Sequence, residues 1–290
     1  MDESHILIIG AYGQLGKALQ AKYPKAKAVD RDTFDMTDWQ MLAKYDWSKV
    51  DVVLNAAAYT NVDGAQTAEG RELAWQINAT GPGYLSKLAA EHGFTLVHVS
   101  SEYVFDGTKA PHTEDEAYTP LGVYAQAKAA GDIAVSVAPK HYILRTSWLI
   151  GDGPNFVRTM MGLAAKNISP SVVSDQIGRL TFTSTLVGAI DHLLRNKAGF
   201  GTYNLSNEGQ PASWAEITRA VFKEVGRDDL NVTDTTTAEY FANKPESAPR
   251  PLKSELDLAK IKATGLKLRD WRDDLHDYIK AEQAKPKEQA

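Results

Sequence analysis

The sequence contains no cysteine among its 290 residues. This absence excludes disulfide bonds, thiolate metal sites and a cysteine nucleophile, and it is compatible with a reducing compartment. The N-terminus also lacks the basic segment followed by an apolar run that marks a secretory signal peptide. From these absences we expect a cytoplasmic protein.

Long apolar runs and an excess of positive charge are missing as well. No run approaches the roughly 20 apolar residues that a membrane-spanning helix needs, so we expect no membrane segment. The 32 lysines and arginines are outnumbered by 37 aspartates and glutamates, and the formal net charge is −5. That balance argues against a nucleic-acid partner. The 7 histidines are scattered without metal-ligand spacing, so we predict no metal site.

The sequence does contain ample apolar material, 43% of its residues, arranged in short runs. Residues 5–9 form such a run and lead directly into a glycine-rich turn at residues 10–16, after which the pattern is helical. A strand, a glycine turn and a helix in this order are typical of a dinucleotide-binding unit, in which the pyrophosphate lies at the helix N-terminus. Gly10, Gly13 and Gly16 follow a G-x-x-G-x-x-G spacing instead of the G-x-G-x-x-G fingerprint.

The second predicted strand, residues 26–29, leads into Asp30, twenty residues after Gly10. A carboxylate at this offset accepts hydrogen bonds from the adenosine ribose hydroxyls and disfavours a 2′-phosphate. Arg31, the next residue, would instead attract that phosphate. The sequence therefore leaves the choice between NAD and NADP open.

Further buried strands are predicted at residues 51–58, 95–99 and 142–148, with helices between them. Such alternation over the first 150 residues predicts an α/β fold with a doubly wound parallel sheet of the Rossmann type. Ligands bind at the carboxyl ends of the strands in such sheets. We therefore expect the small residues that end the 51–58 run to leave room for a cofactor. We also expect Ser101 to donate a hydrogen bond to a substrate carbonyl.

Tyr124 and Lys128 lie four residues apart in a predicted helix, which places both side chains on one face. A phenol ordinarily keeps its proton until about pH 10, but a neighbouring ammonium favours the phenolate. We therefore predict that Lys128 lowers the pKa of Tyr124 and makes it an acid–base group near neutrality.

After residue 150 the alternation loosens and the predicted elements become shorter. We predict that a dinucleotide-binding domain spans residues 1–150 and that a smaller α/β substrate-binding domain occupies mainly residues 151–290. A segment near residues 172–205 is expected to return to the first domain. The charged residues from about 281 onward are predicted to form a disordered tail.

A series of short motifs carries a resemblance that covers nearly the whole chain. They are the glycine turn with Gln14, the runs at residues 55–63, 101–107, 145–148, 155–156 and 174–178, the Tyr124/Lys128 pair, and Arg250 with Pro251. Together they make the chain similar to the extended short-chain dehydrogenase/reductases, and within them to the dTDP-4-dehydrorhamnose reductase family.

The resemblance implies a reductase that uses NADPH or NADH. In that family the glycine turn holds the pyrophosphate, an acid at the Asp30 position binds the adenosine ribose, and small residues line the path to the nicotinamide. The residues so implied in cofactor binding are Gly10, Gly13, Gln14, Leu15, Gly16, Asp30, Arg31, Asp35, Met36, Ala56, Ala57, Ala58, Tyr124 and Lys128.

The resemblance also implies a catalytic set of Tyr124, Lys128 and Ser101. Tyr124 would be the proton donor, and Lys128 would bind the nicotinamide ribose. Ser101 stands where the family usually has threonine, and it keeps the hydroxyl. The residues implied in substrate binding are Ser101, Glu102, Tyr103, Trp148, Asn155 and Arg250.

Some positions depart from the family pattern. Glu102 stands where an aspartate is usual, one methylene longer beside the substrate, and Arg179-Leu180 replaces a small residue and a proline. Ala18 occupies a position where some members carry a glutamate that holds a bridging magnesium ion. We therefore predict neither that metal nor that dimer, and we expect a monomer or a weak homodimer.

The reaction that the resemblance implies is reduction of the C4 keto group of dTDP-4-dehydro-6-deoxy-L-mannose, giving dTDP-L-rhamnose for cell-surface polysaccharides. Reduction of another 4-keto nucleotide sugar stays open, as does a non-catalytic NADP-binding regulatory subunit like that of methionine adenosyltransferase. A 4,6-dehydratase is disfavoured, because similar dehydratases place two consecutive acids after the hydroxyl residue, whereas Ser101 is followed by Glu102 alone.

Overall fold

A parallel β-sheet forms the centre of the protein in the computed structural model, which describes residues 1–285. The strands are β1 (Ile6–Ile9), β2 (Lys27–Val29), β3 (Val52–Asn55), β4 (Thr95–Ser101), β5 (His141–Thr146), β6 (Leu149–Ile150), β7 (Ser171–Val173), β8 (Ile177–Gly178), β9 (Thr181–Phe182), β10 (Gly201–Leu205), β11 (Ala212–Ser213) and β12 (Thr233–Thr235). The α-helices are α1 (Gln14–Lys22), α2 (Trp39–Lys44), α3 (Ala68–Trp75), α4 (Gly81–His92), α5 (Val123–Ser136), α6 (Phe156–Ala165), α7 (Thr183–Arg195), α8 (Trp214–Glu224), α9 (Thr237–Phe241), α10 (Ala259–Ala263) and α11 (Trp271–Ala284). Within residues 1–285, no helix has the length and apolar character needed to cross a membrane.

The central sheet has six strands in the spatial order β10-β5-β4-β3-β1-β2, and every pairing is parallel. The chain passes from β1 to β2 on one side and then crosses back to β3 on the other side of β1. This order confirms the predicted doubly wound sheet. It also creates a topological switch point beside β1 and β3, which is where ligands bind in such sheets.

The hydrophobic core covers both faces of this sheet, as β1 illustrates. Ile6 and Ile8 pack with residues of α1 and α7 on one face, whereas Leu7 and Ile9 pack with residues of α4 on the other. All four side chains are at most 2% exposed. A strand that is covered on both faces has no polar side, which explains the uninterrupted apolar run in the sequence.

The segment before β4 is one continuous helical stretch, in which α3 passes into α4 through a π-helical turn at Gln76–Thr80. The glycines and the proline at residues 81–83 do not interrupt this stretch. Gly81 has helical φ and ψ of −58° and −51°, and Pro82 falls in the first turn of α4. A proline there follows the irregular hydrogen bonding of the π turn, so its missing N–H does not interrupt the helix.

A second hydrophobic cluster joins α6, α8 and α11 with the short strands that follow β5. Trp271, at 1% exposure, is a large buried side chain in this cluster. Helix α8 begins at a capping box, in which Ser213 accepts from the Glu216 backbone N–H at 3.1 Å and donates its own N–H to the Glu216 carboxylate at 2.7 Å. The S-x-x-E pattern at these positions is the sequence signature of such a box.

The chain does not divide simply at residue 150, because later elements belong to the central sheet. Strand β10 pairs with β5, and α7 contributes buried residues to the same cluster as α1. The two-domain boundary near residue 150 stays a prediction. The strand predicted over residues 51–58 ends at Asn55, so the alanines that follow lie in a loop.

The C-terminal helix continues further than the sequence indicated. We predicted a disordered tail from about residue 281, whereas α11 ends at Ala284. An ion pair holds this last turn, because Arg158 donates to the Glu282 carboxylate at 2.8 Å. The remainder of the predicted tail, residues 286–290, lies outside the described residues.

Candidate active site

A cleft of about 740 Å³ opens at the carboxyl edge of the sheet, beside the turns that follow β1 and β3. Its volume is in the range of natural small-molecule sites. The cleft brings together most of the predicted site residues from distant parts of the chain. Those that line it are Gly10, Gly13, Gln14, Leu15, Asp30, Arg31, Asp35, Met36, Ala56, Ala57, Ala58, Ser101, Glu102, Tyr124, Lys128 and Trp148.

The remaining predicted site residues lie outside the cleft lining, and they are Gly16, Tyr103, Asn155 and Arg250. The Asn155 side chain caps the N-terminus of α6. Arg250 forms an ion pair with Asp63 at 2.8 Å. The Tyr103 ring packs edge-on against Tyr124, with 5.7 Å between ring centroids. Asn155 therefore has a structural role and Tyr103 supports the cleft wall, while the substrate contacts of these residues stay predictions.

The glycine turn has the shape that a pyrophosphate requires. Gly10 has a φ of +86°, and a Cβ there would lie 2.6 Å from the Ala57 backbone nitrogen. A Cβ on Gly16 would lie 2.0 Å from the Gly10 carbonyl oxygen. Gly13 is the N-cap of α1, where an added Cβ would come no closer than 3.5 Å to another atom. The turn is therefore packed tightly on its inner side and leaves the helix N-terminus accessible to an anion.

Asp30 holds this turn in place through its backbone contacts. Its carboxylate accepts the Tyr12 N–H at 2.8 Å on one oxygen and the Arg31 N–H at 2.8 Å on the other. A carboxylate oxygen accepts more than one hydrogen bond, so capacity for a ribose hydroxyl is left. The Arg31 side chain is exposed and also lines the cleft. Asp30, which favours NAD, and Arg31, which favours NADP, thus both line the cleft.

The loop of residues 56–58 lines the cleft as predicted, and side-chain amides fix its course. Asn55 accepts the Ala57 N–H at 3.2 Å. Asn78, which is 1% exposed, accepts the Tyr59 N–H at 2.9 Å and donates to the Tyr59 carbonyl at 3.0 Å. Asn78 lies in the π-helical turn, so the irregular part of that helix positions the side chain that fixes the backbone at Tyr59. This role was not predicted from the sequence.

Lys128 is a buried charge at the inner end of the cleft. Its side chain is 1% exposed, and its Nζ donates to the Val99 carbonyl oxygen at 2.6 Å. Burial lowers the pKa of Lys128 to about 8, and the negative charge of Asp132 acts in the opposite direction. The ammonium is therefore still the main form at neutral pH.

The acid behind Lys128 is Asp132, which was not among the predicted site residues. Asp132 is inaccessible to solvent, and its Oδ2 accepts a hydrogen bond from Arg145 Nε at 2.9 Å. Arg145 also donates to the Tyr118 hydroxyl at 2.8 Å. The spacing from Lys128 to Asp132 is the same four residues that separate Tyr124 from Lys128. That spacing is the sequence signal that would have found Asp132.

The predicted effect of Lys128 on Tyr124 is not found in the structure. Burial raises the pKa of Tyr124 and the Glu102 charge adds to the rise, whereas a hydrogen bond with Ser101 opposes it. The predicted lowering of the pKa is therefore wrong in this structure. The physical reason is that loss of hydration outweighs an ammonium whose hydrogen bond goes to the Val99 carbonyl. The phenol is protonated at neutral pH, which is the form that a proton donor needs.

Ser101 and Glu102 lie at the end of β4, next to Tyr124. Ser101 Oγ donates to Glu102 Oε2 at 2.7 Å. Glu102 is 3% exposed, and burial raises its pKa to about 7, against the hydrogen bonds from Ser101 and Ser254. The hydroxyls of Ser101 and Tyr124 thus converge on one part of the cleft, with a buried carboxyl group beside them.

Trp148 forms the wall at the other side of this region. It has a φ of +45°, a left-handed conformation that is uncommon for a bulky residue. Its ring stacks on Trp214 at 3.8 Å between centroids. Gly178 permits this position, because a Cβ there would approach the Trp148 ring to 3.0 Å. The strained backbone is held by stacking, which places an aromatic face in the cleft.

These features define a class of protein. The turn shaped for a pyrophosphate lies at the switch point of a doubly wound sheet, and one cleft connects it to the Ser101, Tyr124 and Lys128 side chains. A Rossmann-type fold that delivers a dinucleotide to a tyrosine–lysine pair is a short-chain dehydrogenase/reductase fold.

Comparison with known proteins narrows the class to a family. The model of a family described as "RmlD substrate binding domain" matches residues 4–284. A dTDP-4-dehydrorhamnose reductase from Mycolicibacterium smegmatis is 36% identical over 286 residues, which cover 95% of this chain and 85% of the relative. The chain therefore belongs to the RmlD family.

Solved structures agree with this assignment. A dTDP-4-dehydrorhamnose reductase from Clostridium acetobutylicum is 36% identical with a TM-score of 0.88, and the alignment covers 96% of this chain and 99% of that one. A dTDP-4-dehydrorhamnose reductase from Bacillus anthracis, solved in complex with NADP, is 31% identical with a TM-score of 0.87, covering 95% and 98%.

Proposed function

We propose that this protein reduces the C4 keto group of dTDP-4-dehydro-L-rhamnose to give dTDP-L-rhamnose, using NADPH or NADH. The observation that carries the proposal is the convergence of the Ser101 and Tyr124 hydroxyls, beside the buried Lys128, at the inner end of the dinucleotide cleft. Family membership adds the substrate class, since the relatives described above are named dTDP-4-dehydrorhamnose reductases.

The residues of the cleft fit a nicotinamide dinucleotide. The tight inner packing of Gly10 and Gly16 and the accessible N-terminus of α1 suit the pyrophosphate, with Asp30 and Arg31 at the adenosine ribose. When bound, the reduced nicotinamide supplies the hydride. The loop of residues 56–58 would pass beside it, because its alanines leave room along the cleft.

Tyr124 is the group that gives a proton to the developing C4 alkoxide. Its raised pKa keeps the phenol protonated at neutral pH. After the transfer a tyrosinate is left, and the ammonium of Lys128 stabilises that charge in a desolvated site. Ser101 provides a second hydroxyl for the same oxygen. The two residues therefore act where negative charge appears in the transition state.

The cleft also offers a surface for the rest of the nucleotide sugar. Trp148 presents an aromatic ring supported by Trp214, which suits packing against an apolar face of a sugar or base. We infer that Tyr103 and Arg250, which lie behind the wall, contribute to substrate binding once the site is filled. The finer assignments of these residues are part of the proposal.

The test is the oxidation of the reduced cofactor, followed by its absorbance. The protein is supplied with NADPH or NADH and with dTDP-4-keto-6-deoxyglucose, in the presence and absence of a 3,5-epimerase. Oxidation only with the epimerase supports reduction of the L-sugar, and the better cofactor shows whether Asp30 or Arg31 dominates. Oxidation without the epimerase would assign another 4-keto sugar, and no oxidation despite cofactor binding would contradict the proposal.

We further propose that the protein acts in the cytoplasm as a monomer or a weak homodimer. The location is supported by the cysteine-free sequence, and the oligomeric state by Ala18, which stands where some family members carry a glutamate that holds a bridging magnesium ion. Light scattering at increasing protein concentration tests the oligomeric state, and a stable tetramer would contradict it.

A further inference from the structure

The hydrogen bond between Ser101 and Glu102 restricts what Ser101 can do. A serine hydroxyl has a single proton to donate and two lone pairs that accept. In this structure the Ser101 proton goes to Glu102 Oε2 at 2.7 Å, and Ser101 Oγ accepts the Tyr103 N–H at 3.2 Å. A proton that is given to Glu102 is not available to a substrate keto oxygen.

The opposite arrangement becomes possible when Glu102 is protonated. A neutral carboxyl group donates its proton, so both lone pairs of Ser101 Oγ would be filled, by Glu102 and by the Tyr103 N–H. The Ser101 proton is then left for a partner on the cleft side, which is the hydroxyl oxygen of Tyr124, its hydrogen-bond partner, or a keto oxygen bound in the cleft.

We propose that Glu102 is a positioning residue that controls the direction of the Ser101 hydrogen bond, so that the enzyme is active when Glu102 is neutral. This inference rests on the proposed keto reduction, because it concerns which proton meets the keto oxygen. It differs from a substrate-binding role for Glu102, since Glu102 acts here through Ser101.

The surroundings of Glu102 bring its pKa close to neutral pH, so that both of its protonation states are populated there. Its side chain is 3% exposed, and burial raises its pKa to about 7. Ser254, itself 2% exposed, is the other side-chain hydrogen-bond partner. A carboxyl group in this setting switches its hydrogen-bonding role over a small change in pH.

Other ionisable groups face the same region, and their titration has to be distinguished from that of Glu102. Tyr124 from α5 and Tyr103 from the turn after β4 both have a raised pKa, so they keep their protons across neutral pH. Arg250 and Asp63 lie beyond Tyr103 and form an ion pair with each other. Lys128, whose pKa is about 8, is the other group that titrates near neutrality.

The experiment is the pH dependence of kcat between about pH 5.5 and 9 for the wild-type protein and for Glu102→Gln, with saturating substrate and cofactor. The wild-type kcat is expected to fall from near pH 7, by about tenfold per pH unit. The glutamine side chain of the variant cannot ionise and its amide still donates to Ser101, so the fall should begin near pH 8, where Lys128 loses its charge. Each profile is scaled to that protein's own kcat at about pH 6, so the readout is the pH at which kcat begins to fall and not its absolute value.

A second variant, Ser101→Ala, tests the inference if Glu102→Gln does not fold. In Ser101→Ala the hydroxyl that transmits the effect is gone, so kcat should be lower but should no longer fall near pH 7. A decline near pH 7 that persists in Ser101→Ala, or that is unchanged in a folded Glu102→Gln protein, would overturn the inference. Absence of turnover in the wild-type protein at every pH would instead overturn the proposed function.

Discussion

Arg145 donates through Nε to Asp132 Oδ2 at 2.9 Å, and the two side chains are 2% and 0% exposed. This ion pair lies directly behind Lys128, because Asp132 follows Lys128 by one helical turn on α5. The Asp132 carboxylate is the ion-pair partner of the Arg145 guanidinium, and its negative charge also stabilises the buried ammonium of Lys128. The charged form of Lys128 is therefore supported by residues that do not line the cleft.

The first prediction concerns this pair. Asp132→Asn should destabilise the protein by about 3 kcal/mol, since Arg145 would be left buried without a countercharge. It should also lower the pKa of Lys128, so the high-pH loss of activity should begin at a lower pH than in the wild type. Urea unfolding and the pH dependence of kcat measure the two effects.

The matched control is Asp229→Asn, which removes the carboxylate of the exposed Arg227–Asp229 pair. It should change stability far less than Asp132→Asn does, because solvent screens an exposed pair, and it should leave the pH profile unaltered. If Asp132→Asn were as mild as this control, the structural role given to Asp132 would be wrong.

The second prediction concerns Tyr124, the proposed proton donor. Tyr124→Phe should lower kcat by about 10²- to 10⁴-fold, because the ring is kept while the transferable proton is lost. The affinity for the reduced cofactor, measured by quenching of protein fluorescence, should change little. Tyr240→Phe is the control, since Tyr240 is 42% exposed and lies outside the cleft. A Tyr124→Phe enzyme with near-wild-type kcat would assign the proton to another group.

The third prediction concerns the glycine turn. Gly16→Ala should cost about 2 kcal/mol or more in stability and abolish cofactor binding, because its Cβ would lie 2.0 Å from the Gly10 carbonyl oxygen. Gly162→Ala is the contrasting variant in α6, where an added Cβ meets nothing within 4 Å. It should raise stability by about 0.5–1 kcal/mol through helix propensity. Equal thermal shifts in the two variants would contradict the tight packing of the turn.

The fourth prediction concerns stability and pH. Burial raises the pKa of Glu102 from its usual 4.5 to about 7, so the folded protein binds one more proton than the unfolded chain between these values. The stability contributed by the neutral carboxyl is full below pH 4.5 and is lost as the pH rises to about 7. This term amounts to as much as about 3 kcal/mol.

Glu102→Gln should remove that dependence. The difference in unfolding free energy between wild type and variant should therefore shift in favour of the variant between about pH 5 and pH 8. The exposed Glu246→Gln change serves as the control and should show no such shift. Parallel stability curves for wild type and Glu102→Gln would show that Glu102 ionises as freely in the fold as in water.

The inner strands of the central sheet, β1, β3, β4 and β5, were readable from the sequence because they are largely buried on both faces. The run at residues 5–9 has no polar face to obscure it, and it leads into Gly10, whose positive φ only glycine adopts readily. Ser101 and the alanines at residues 56–58 could be placed because ligand sites in such sheets follow the strand ends. Asp35, Met36 and Trp148 were placed by the family resemblance. The role of Asn78 could not be predicted, because its hydrogen bonds to the Tyr59 backbone depend on a π-helical turn that no local pattern revealed.

The sequence by itself determined the parallel sheet, the pyrophosphate turn and the one-face spacing of Tyr124 and Lys128, since these depend on local periodicity and on residue types at fixed offsets. The tertiary structure decided the charge states and the hydrogen bonds of the residues in the cleft. The pKa of Tyr124 rises, Lys128 is supported by Asp132, and the proton of Ser101 goes to Glu102. Burial and long-range partners set those properties, and both come into existence only when distant segments of the chain pack together.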